Sequence, residues 1–263
     1  TNEIITEGDN FPDNISFEGY TVELTDDIYL NDISDVDNWA TAPPSNQWKP
    51  IGSENSFSGT FKGGHYTIYG IYCYSEDKPM ALFDNFSGTI RDIEISDGYI
   101  NGHTGAGIAL FSNGVVINSN NLSVEVCGNR AGGIVLINDG KIENCKNSAD
   151  ISYDYHWYLS GAVQIGGIAA MNNQSISGCF NSGRINSEYS VSYIGGITGE
   201  DSGTIQKSAN IGYINNELNT IQHVGGIVGR KTEGTVSECY NTGKIGAAES
   251  EYTGGIVGWQ FDG

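Results

Sequence analysis

Gly225-Gly226-Ile227-Val228-Gly229, then Gly234-Thr235-Val236-Ser237-Glu238-Cys239-Tyr240-Asn241-Thr242-Gly243-Lys244-Ile245, is the stretch on which the reading of this chain turns. Both halves recur. The first returns as Gly132-Gly133-Ile134-Val135, Gly166-Gly167-Ile168-Ala169, Gly195-Gly196-Ile197-Thr198-Gly199 and Gly254-Gly255-Ile256-Val257-Gly258, with weaker copies at Ala106-Gly107-Ile108-Ala109 and Met80-Ala81-Leu82-Phe83. On the aliphatic residue the copies fall at 82, 108, 134, 168, 197, 227 and 256, in steps of 26, 26, 34, 29, 30 and 29. The second half matches 174–185, 203–214 and 140–151, more faintly 114–124, and begins again at Gly88-Thr89-Ile90.

Each repeat holds two or three apolar runs of four to six residues, rich in Ile and Val and separated by Gly, Asn and Ser. A helix of this size needs an uninterrupted 3.6-residue period, and each glycine would cost it about 1 kcal/mol. Punctuated strands at a fixed period are the signature of a solenoid. A propeller blade needs about 40 residues or more, and the Leu-x-x-Leu-x-Leu spacing of leucine-rich repeats is absent. The reading is therefore all-β: a parallel β-helix, or solenoid, with an N-terminal cap. Residues 1–50 are expected to form the cap, with a strand near 20–30 and Trp39 and Trp48 covering the first coil. Residues 51–263 form roughly seven or eight coils, about 35–40 Å tall at the ~4.8 Å strand spacing.

Stacked coils predict columns. The Ile of each Gly-Gly-Ile should point into the core, and the residue after it (Val, Ala or Thr198) should be less buried. Asn121, Asn147, Asn181, Asn210 and Asn241 should form an asparagine column at a corner, where left-handed backbone is tolerated and amides bond along the stack. The glycines mark corners that need positive φ or close approach between coils. Cys145, Cys179 and Cys239 share one position, with Ser208 in the column. They read as small inward residues, since stacked parallel positions suit disulfides poorly. Five cysteines cannot all pair, and none sits in a CxxC, so no zinc site is expected.

Composition narrows the function. Thirty-two acidic residues against twelve basic give a net charge of −20. That field repels phosphate backbones and anionic lipid and attracts cations, so nucleic acid is excluded as a partner. No apolar run approaches the ~18 residues that span a bilayer, which excludes direct membrane insertion. Thr1-Asn2-Glu3-Ile4 lacks the basic and apolar regions of a secretory signal, so export requires that a signal was removed upstream. Trp259 to Gly263 stop within a coil, so the helix is expected to run on past Gly263.

The Gly-Gly-Ile-Val-Gly core followed by Gly-Thr-Val-x-x-Cys-Tyr-Asn-Thr-Gly resembles the GLUG-motif repeats of bacterial surface proteins. Tyr20-Thr21-Val22-Glu23-Leu24-Thr25-Asp26-Asp27-Ile28 looks like the strand that precedes such arrays. Trp48-Lys49-Pro50-Ile51-Gly52 and the run from Phe57 to Ile68 look like the family's first coil. The resemblance spans roughly 20–259 and departs at Phe83-Asp84, Ile108-Ala109, Leu136 and Ala170, where the last glycine is missing. It implies a right-handed parallel β-helix within large secreted or surface-attached bacterial proteins. These include adhesin-like proteins and non-catalytic regions of immunoglobulin A-cleaving metalloproteases. It carries over no catalytic residue, and other domains of the same larger protein are implied as neighbours.

No catalytic constellation emerges from the residues. His65, His103, His156 and His223 form no His-Glu-x-x-His, there is no Gly-x-Ser-x-Gly, and Gly105 to Leu110 lacks the last glycine of a dinucleotide loop. Some parallel β-helices are polysaccharide lyases or glycoside hydrolases, which need clustered carboxylates. Asp32, Asp35 and Asp37 fall in the cap, and Asp92 and Glu94 could share one face of a strand. The reading favours a non-enzymatic, extracellular adhesin-like module without cofactor or metal, with a carbohydrate-active β-helix as the alternative. The 34-residue step carries Tyr153-Asp154-Tyr155-His156-Trp157-Tyr158-Leu159. Tyr153, Tyr155, Trp157 and Tyr158 are the candidate ligand-binding residues, since aromatics beside acids suit a sugar or a host protein. Tyr66, Tyr69, Tyr72 and Tyr74 are a second aromatic run.

Overall fold

A computed structural model describes residues 16–153, 162–187, 191–216, 221–247 and 250–261. The chain winds as a β-solenoid with five short strands per turn, one on each of five faces. One turn shows the order: Thr89–Arg91, Glu94–Ser96, Gly98–Gly102, Gly105–Ala106 and Ala109–Ser112 lie on faces one to five. Every pairing is parallel and couples one turn to the next, as in Thr89↔Val115, Ile90↔Val116 and Arg91↔Ile117. Faces one to five carry eight, eight, seven, six and seven strands, so among the described residues six turns have strand on every face. Two residues separate the strands of faces one and two in all six of those turns, whereas two to ten separate the strands of faces three and four.

The aliphatic column is where the spacing puts it. Ile108, Ile134, Ile168, Ile197 and Ile227 are fully buried. Their backbones run through the stack, Ile134 N–H to Ile168 O at 3.0 Å and Ile168 N–H to Ile197 O at 2.9 Å. Burying each such side chain contributes about 1.5–3 kcal/mol. The residue after it corrects the expectation. Val135, Ala169, Thr198 and Val228 are also fully buried. The turn at Gly-Gly-Ile breaks strand alternation, so both residues enter the core, and Thr198 satisfies its hydroxyl on Glu200 O at 2.8 Å. Two main cores result. One fills the space between faces one, two and five; the other, with Ile151, Ile165, Ile185, Ile194 and Ile214, lies between faces three and four.

The paired glycines serve close approach, since none of them has positive φ. A Cβ on Gly167 would overlap the carbonyl oxygen of Gly196 and lie 2.7 Å from Asn181 Nδ2. The glycine pair thus packs directly on the asparagine column. That column is bonded amide to amide from Asn147 on: Asn147 Nδ2 donates to Asn181 Oδ1 at 2.9 Å, Asn181 to Asn210 at 2.8 Å and Asn210 to Asn241 at 2.8 Å. Each of these four amides also caps a carbonyl two residues on, as Asn181 does on Gly183 O at 3.1 Å, whereas Asn121 donates to Val124 O at 2.9 Å and to Gly133 O at 3.2 Å instead of to Asn147. These asparagines are not left-handed. Left-handed backbone lies three residues earlier, at Asp92, Asn118, Asn144, Gly178, Lys207 and Glu238, where the chain turns from face one to face two.

A second polar column runs inside face five through Ser112, Asn138, Asn172, Asp201 and Lys231, all buried. Asn138 Nδ2 donates to Asn172 Oδ1 and Asn172 Nδ2 to Asp201 Oδ1, each at 2.7 Å. Lys231 Nζ closes the column on Asp201 Oδ2 at 2.6 Å, with side chains 6% and 0% exposed. Outside this face, the third glycine of the motif lets face five lie against face four. A Cβ on Gly199 would come 2.7 Å from Ile165 N. Where that glycine is missing, Leu110, Leu136 and Ala170 fill the corner with Ala81 and Ala106.

Farther out along the same corner, the two faces are zipped by rings and charges. His223 stacks on Tyr193 at 5.1 Å and on Trp259 at 5.1 Å. Arg230 lies over the Tyr193 and Trp259 rings and pairs with Glu200 at 3.0 Å. Burial, then the Arg230 charge, hold the His223 imidazole below its ordinary 6.5, against the opposing pull of Glu251 and Glu200. The unfolded chain therefore takes up a proton that the folded one resists, and stability falls as pH drops through about 6.5. Melting curves at pH 7.5 and 5.5 should show a larger loss of Tm in the wild type than in His223→Gln; equal losses would contradict this.

At the N-terminal end, Thr21–Glu23 pairs in parallel with Thr60–Lys62 and Ile28–Tyr29 with Ile68 and Tyr69. The segment near 20–30 therefore continues faces one and two. Trp39 is buried edge-on against Tyr72, and Trp48 Nε1 donates to Leu82 O at 3.1 Å.

Candidate functional site

Of the aromatic candidates, Tyr153 ends the strand Ile151–Tyr153 and is buried in the core between faces three and four. Tyr155, Trp157 and Tyr158 lie outside the described residues. The tyrosine run at 66–74 is no single row. It is cut by Gly70 at φ 74° into Thr67–Tyr69 and Tyr72–Ser75. Tyr69 stacks on Tyr29 at 4.7 Å, and Tyr72 is buried.

The acidic candidates do not converge. Asp32 caps a short 3₁₀ turn, accepting from Ser34 N–H at 3.0 Å. Asp92 does not share a strand face with Glu94. It sits at left-handed φ on the corner, held by Arg91 Nε at 2.7 Å, while Glu94 on the strand accepts from Asn120 Nδ2 at 3.0 Å. All five cysteines are free thiols. Cys145 and Cys179 are buried in the column, and burial pushes the Cys145 thiol well up.

The site the structure offers is a groove on the outside of face three, at the foot of the long insertion. The inward residues of this face are Ile100, Val126, Ile151, Ile185 and Ile214, all buried. Strand alternation turns their neighbours outward in two columns. One holds Tyr99, Glu125, Asp150, Arg184 and Tyr213; the other Asn101, Cys127, Ser152, Asn186 and Asn215. Tyr99, Glu125, Cys127, Ser152, Tyr153, Arg184, Asn186, Ser187 and Asn215 line a cavity of about 450 Å³.

Its floor is hydrogen-bonded at one end and open at the other. Cys127 Sγ and Ser152 Oγ are 2.7 Å apart, and both donate to Glu125 Oε1, at 3.5 and 3.4 Å. Burial raises the Glu125 carboxyl and pushes Cys127 up to about 12, so the thiol is no nucleophile at neutral pH. At the other end the Arg184 guanidinium lies 5.4 Å over the Tyr213 ring, and the Asn186 side-chain oxygen is buried without a partner. The lining holds one carboxylate, one guanidinium, two primary amides, two hydroxyls and two phenols. Those are groups that bind polar ligands; among the described lining residues Glu125 is the one carboxylate, with Asp150 one rung on in the same outward column.

These residues come from different coils and differ in kind, so a search for repeated motifs passes over them. The signal that finds them is the register: read down the two columns one place before and one place after each inward Ile or Val of face three.

The solenoid is similar to a solved crystal structure. That protein, from Bacteroides ovatus, carries the provisional name immunoglobulin A1 protease; the TM-score is 0.59 at 18% identity, covering 92% of this chain and 77% of that one. The likeness is one of fold. No family model matches the chain, and no curated protein does.

Proposed function

We propose that this chain is a non-enzymatic, GLUG-like module of a secreted or surface-attached bacterial protein, adhesin-like, presenting the face-three groove to a glycan or glycoprotein. The observation that carries this reading is the groove itself: about 450 Å³, polar-lined, on an otherwise regular face. Its amides, hydroxyls, guanidinium and carboxylate give it the means to hold a polar ligand. The repeats support a solenoid whose backbone ladder holds such a surface rigid. The provisional name of the similar structure makes immunoglobulin A1 a sensible probe beside glycans and matrix proteins.

A glycan-array and matrix-protein screen tests this with wild type, Asn186→Ala and a Tyr155/Trp157/Tyr158→Ala variant. Binding weakened about tenfold or more by Asn186→Ala supports the groove, as loss of a charged or neutral hydrogen bond is worth ~1–3 kcal/mol. Binding lost only in the triple variant moves the site to the insertion. Cleavage of any probe overturns the non-enzymatic reading.

A further inference from the structure

Among the described residues Arg184 is the only base lining the groove, in a chain with twelve Lys and Arg and a net charge of −20. Among the described residues its guanidinium meets no carboxylate: Asp150, beside it on the neighbouring strand, accepts from its backbone N–H at 3.1 Å, and its side chain rests on Tyr213. Resting the guanidinium against a ring fixes its plane while leaving its donors unused. A guanidinium held so is suited to a planar, bidentate anion.

The rest of the lining limits what that anion is attached to. Asn186, on the same strand, has its amide oxygen buried and unpartnered, so it asks for a donor. Asn215 lies beside it one coil on, and Ser152 and Glu125 lie one and two coils back. Two coils are about 10 Å at the strand spacing, the length of one or two sugar rings. Hydroxyl groups both donate and accept, and so match a row of amides, a hydroxyl and a carboxylate. Glu125 and Asp150 are the two rungs before Arg184 in its column, which disfavours a polyanion lying along the whole face; on the other side of Arg184 the column continues through Tyr213, over whose ring both Arg184 and Lys244 lie, which favours one localised negative charge there.

We propose that the groove binds a saccharide bearing a carboxylate (a sialic or uronic acid residue), with the carboxylate on Arg184 and ring hydroxyls on Asn186, Asn215, Ser152 and Glu125. This rests on the groove being the binding site and adds the class of its ligand.

The test is calorimetry on the whole chain with two matched pairs of probes: sialyllactose against lactose, and a glucuronic-acid oligosaccharide against its carboxyl-reduced form. The expected result is at least tenfold tighter binding of the acidic member of one pair, a preference that Arg184→Gln removes and Lys141→Gln, on the exposed side of face one, keeps. Circular dichroism establishes that both variants fold. Equal binding of acidic and neutral members, sensitive to Asn186→Ala, overturns the carboxylate assignment and leaves the groove as the site. A preference that survives Arg184→Gln also overturns it. If no saccharide binds, the ligand class falls, and the groove reading then stands only on a protein captured in the broader screen.

Discussion

Lys231→Met is expected to destabilise the protein by about 3–5 kcal/mol, the usual cost of leaving one member of a buried ion pair without its partner. Lys231 Nζ is 2.6 Å from Asp201 Oδ2, and neither side chain has appreciable access to water. Burial already raises the Asp201 carboxyl, despite the hydrogen bonds from Lys231 and Asn172 that oppose it. Removing the ammonium leaves that carboxyl in a dry column facing only Asn172 and the Gly203 N–H. The double replacement Asp201→Asn with Lys231→Asn behaves differently. It extends the Asn138–Asn172 amide ladder by two rungs and removes both charges, so it should return stability to within about 1 kcal/mol of wild type or above it. Urea midpoints for wild type, Asp201→Asn, Lys231→Asn and the pair complete a double-mutant cycle, with Lys231→Met measured beside them. A Lys231→Met protein within 1 kcal/mol of wild type would show that the pair contributes nothing to holding the column.

The second large effect is a contrast between equivalent glycines. Gly167→Ala should cost about 3 kcal/mol or more, because the added methyl overlaps the Gly196 carbonyl and the Asn181 amide, both fixed in ladders. Neither obstacle can yield without breaking hydrogen bonds in two coils. Gly255→Ala, at the same place in the last described copy of the motif, meets nothing within 4 Å in the 263-residue chain and, measured in that same chain, should stay within about 0.5 kcal/mol. Conformational freedom of glycine is common to both positions, so a similar cost at each would mean that backbone preference, rather than the packing of coil on coil, fixes the motif. Thermal melts of the two variants side by side decide it.

The two cases show what the sequence does and does not disclose. The Gly-Gly-Ile column and the asparagine column are legible because the same residue type returns at the same place in successive turns, and identity is what a search for repeats detects. The buried column through Ser112, Asn138, Asn172, Asp201 and Lys231 escapes it. Each rung there is polar, but each is different, and only the strand register shows that they touch. The groove escapes for the same reason: Glu125, Ser152 and Arg184 share no motif. The burial expected to be lower at Val135 and Thr198 failed because strict in–out alternation does not survive a corner. The aromatic insertion was legible as an irregular step in the period, which says where the chain departs from its pattern and not what the departure does.

The corner between faces three and four takes the largest share of the uneven steps. Elsewhere the spacing varies less, one to three residues between faces two and three and two or three between faces five and one, since a ladder cannot slip by one residue without turning every side chain over. Here two, three, four or ten residues intervene and the strands on either side keep their partners. Natural variation in length can therefore accumulate at this edge in any one coil without disturbing the others. The strands on either side of these segments repeat about 4.8 Å apart from coil to coil, so the edge offers a row of independent insertion points. Such a row can diversify in sequence under selection, or accept grafted peptides, while the solenoid behind it stays unchanged.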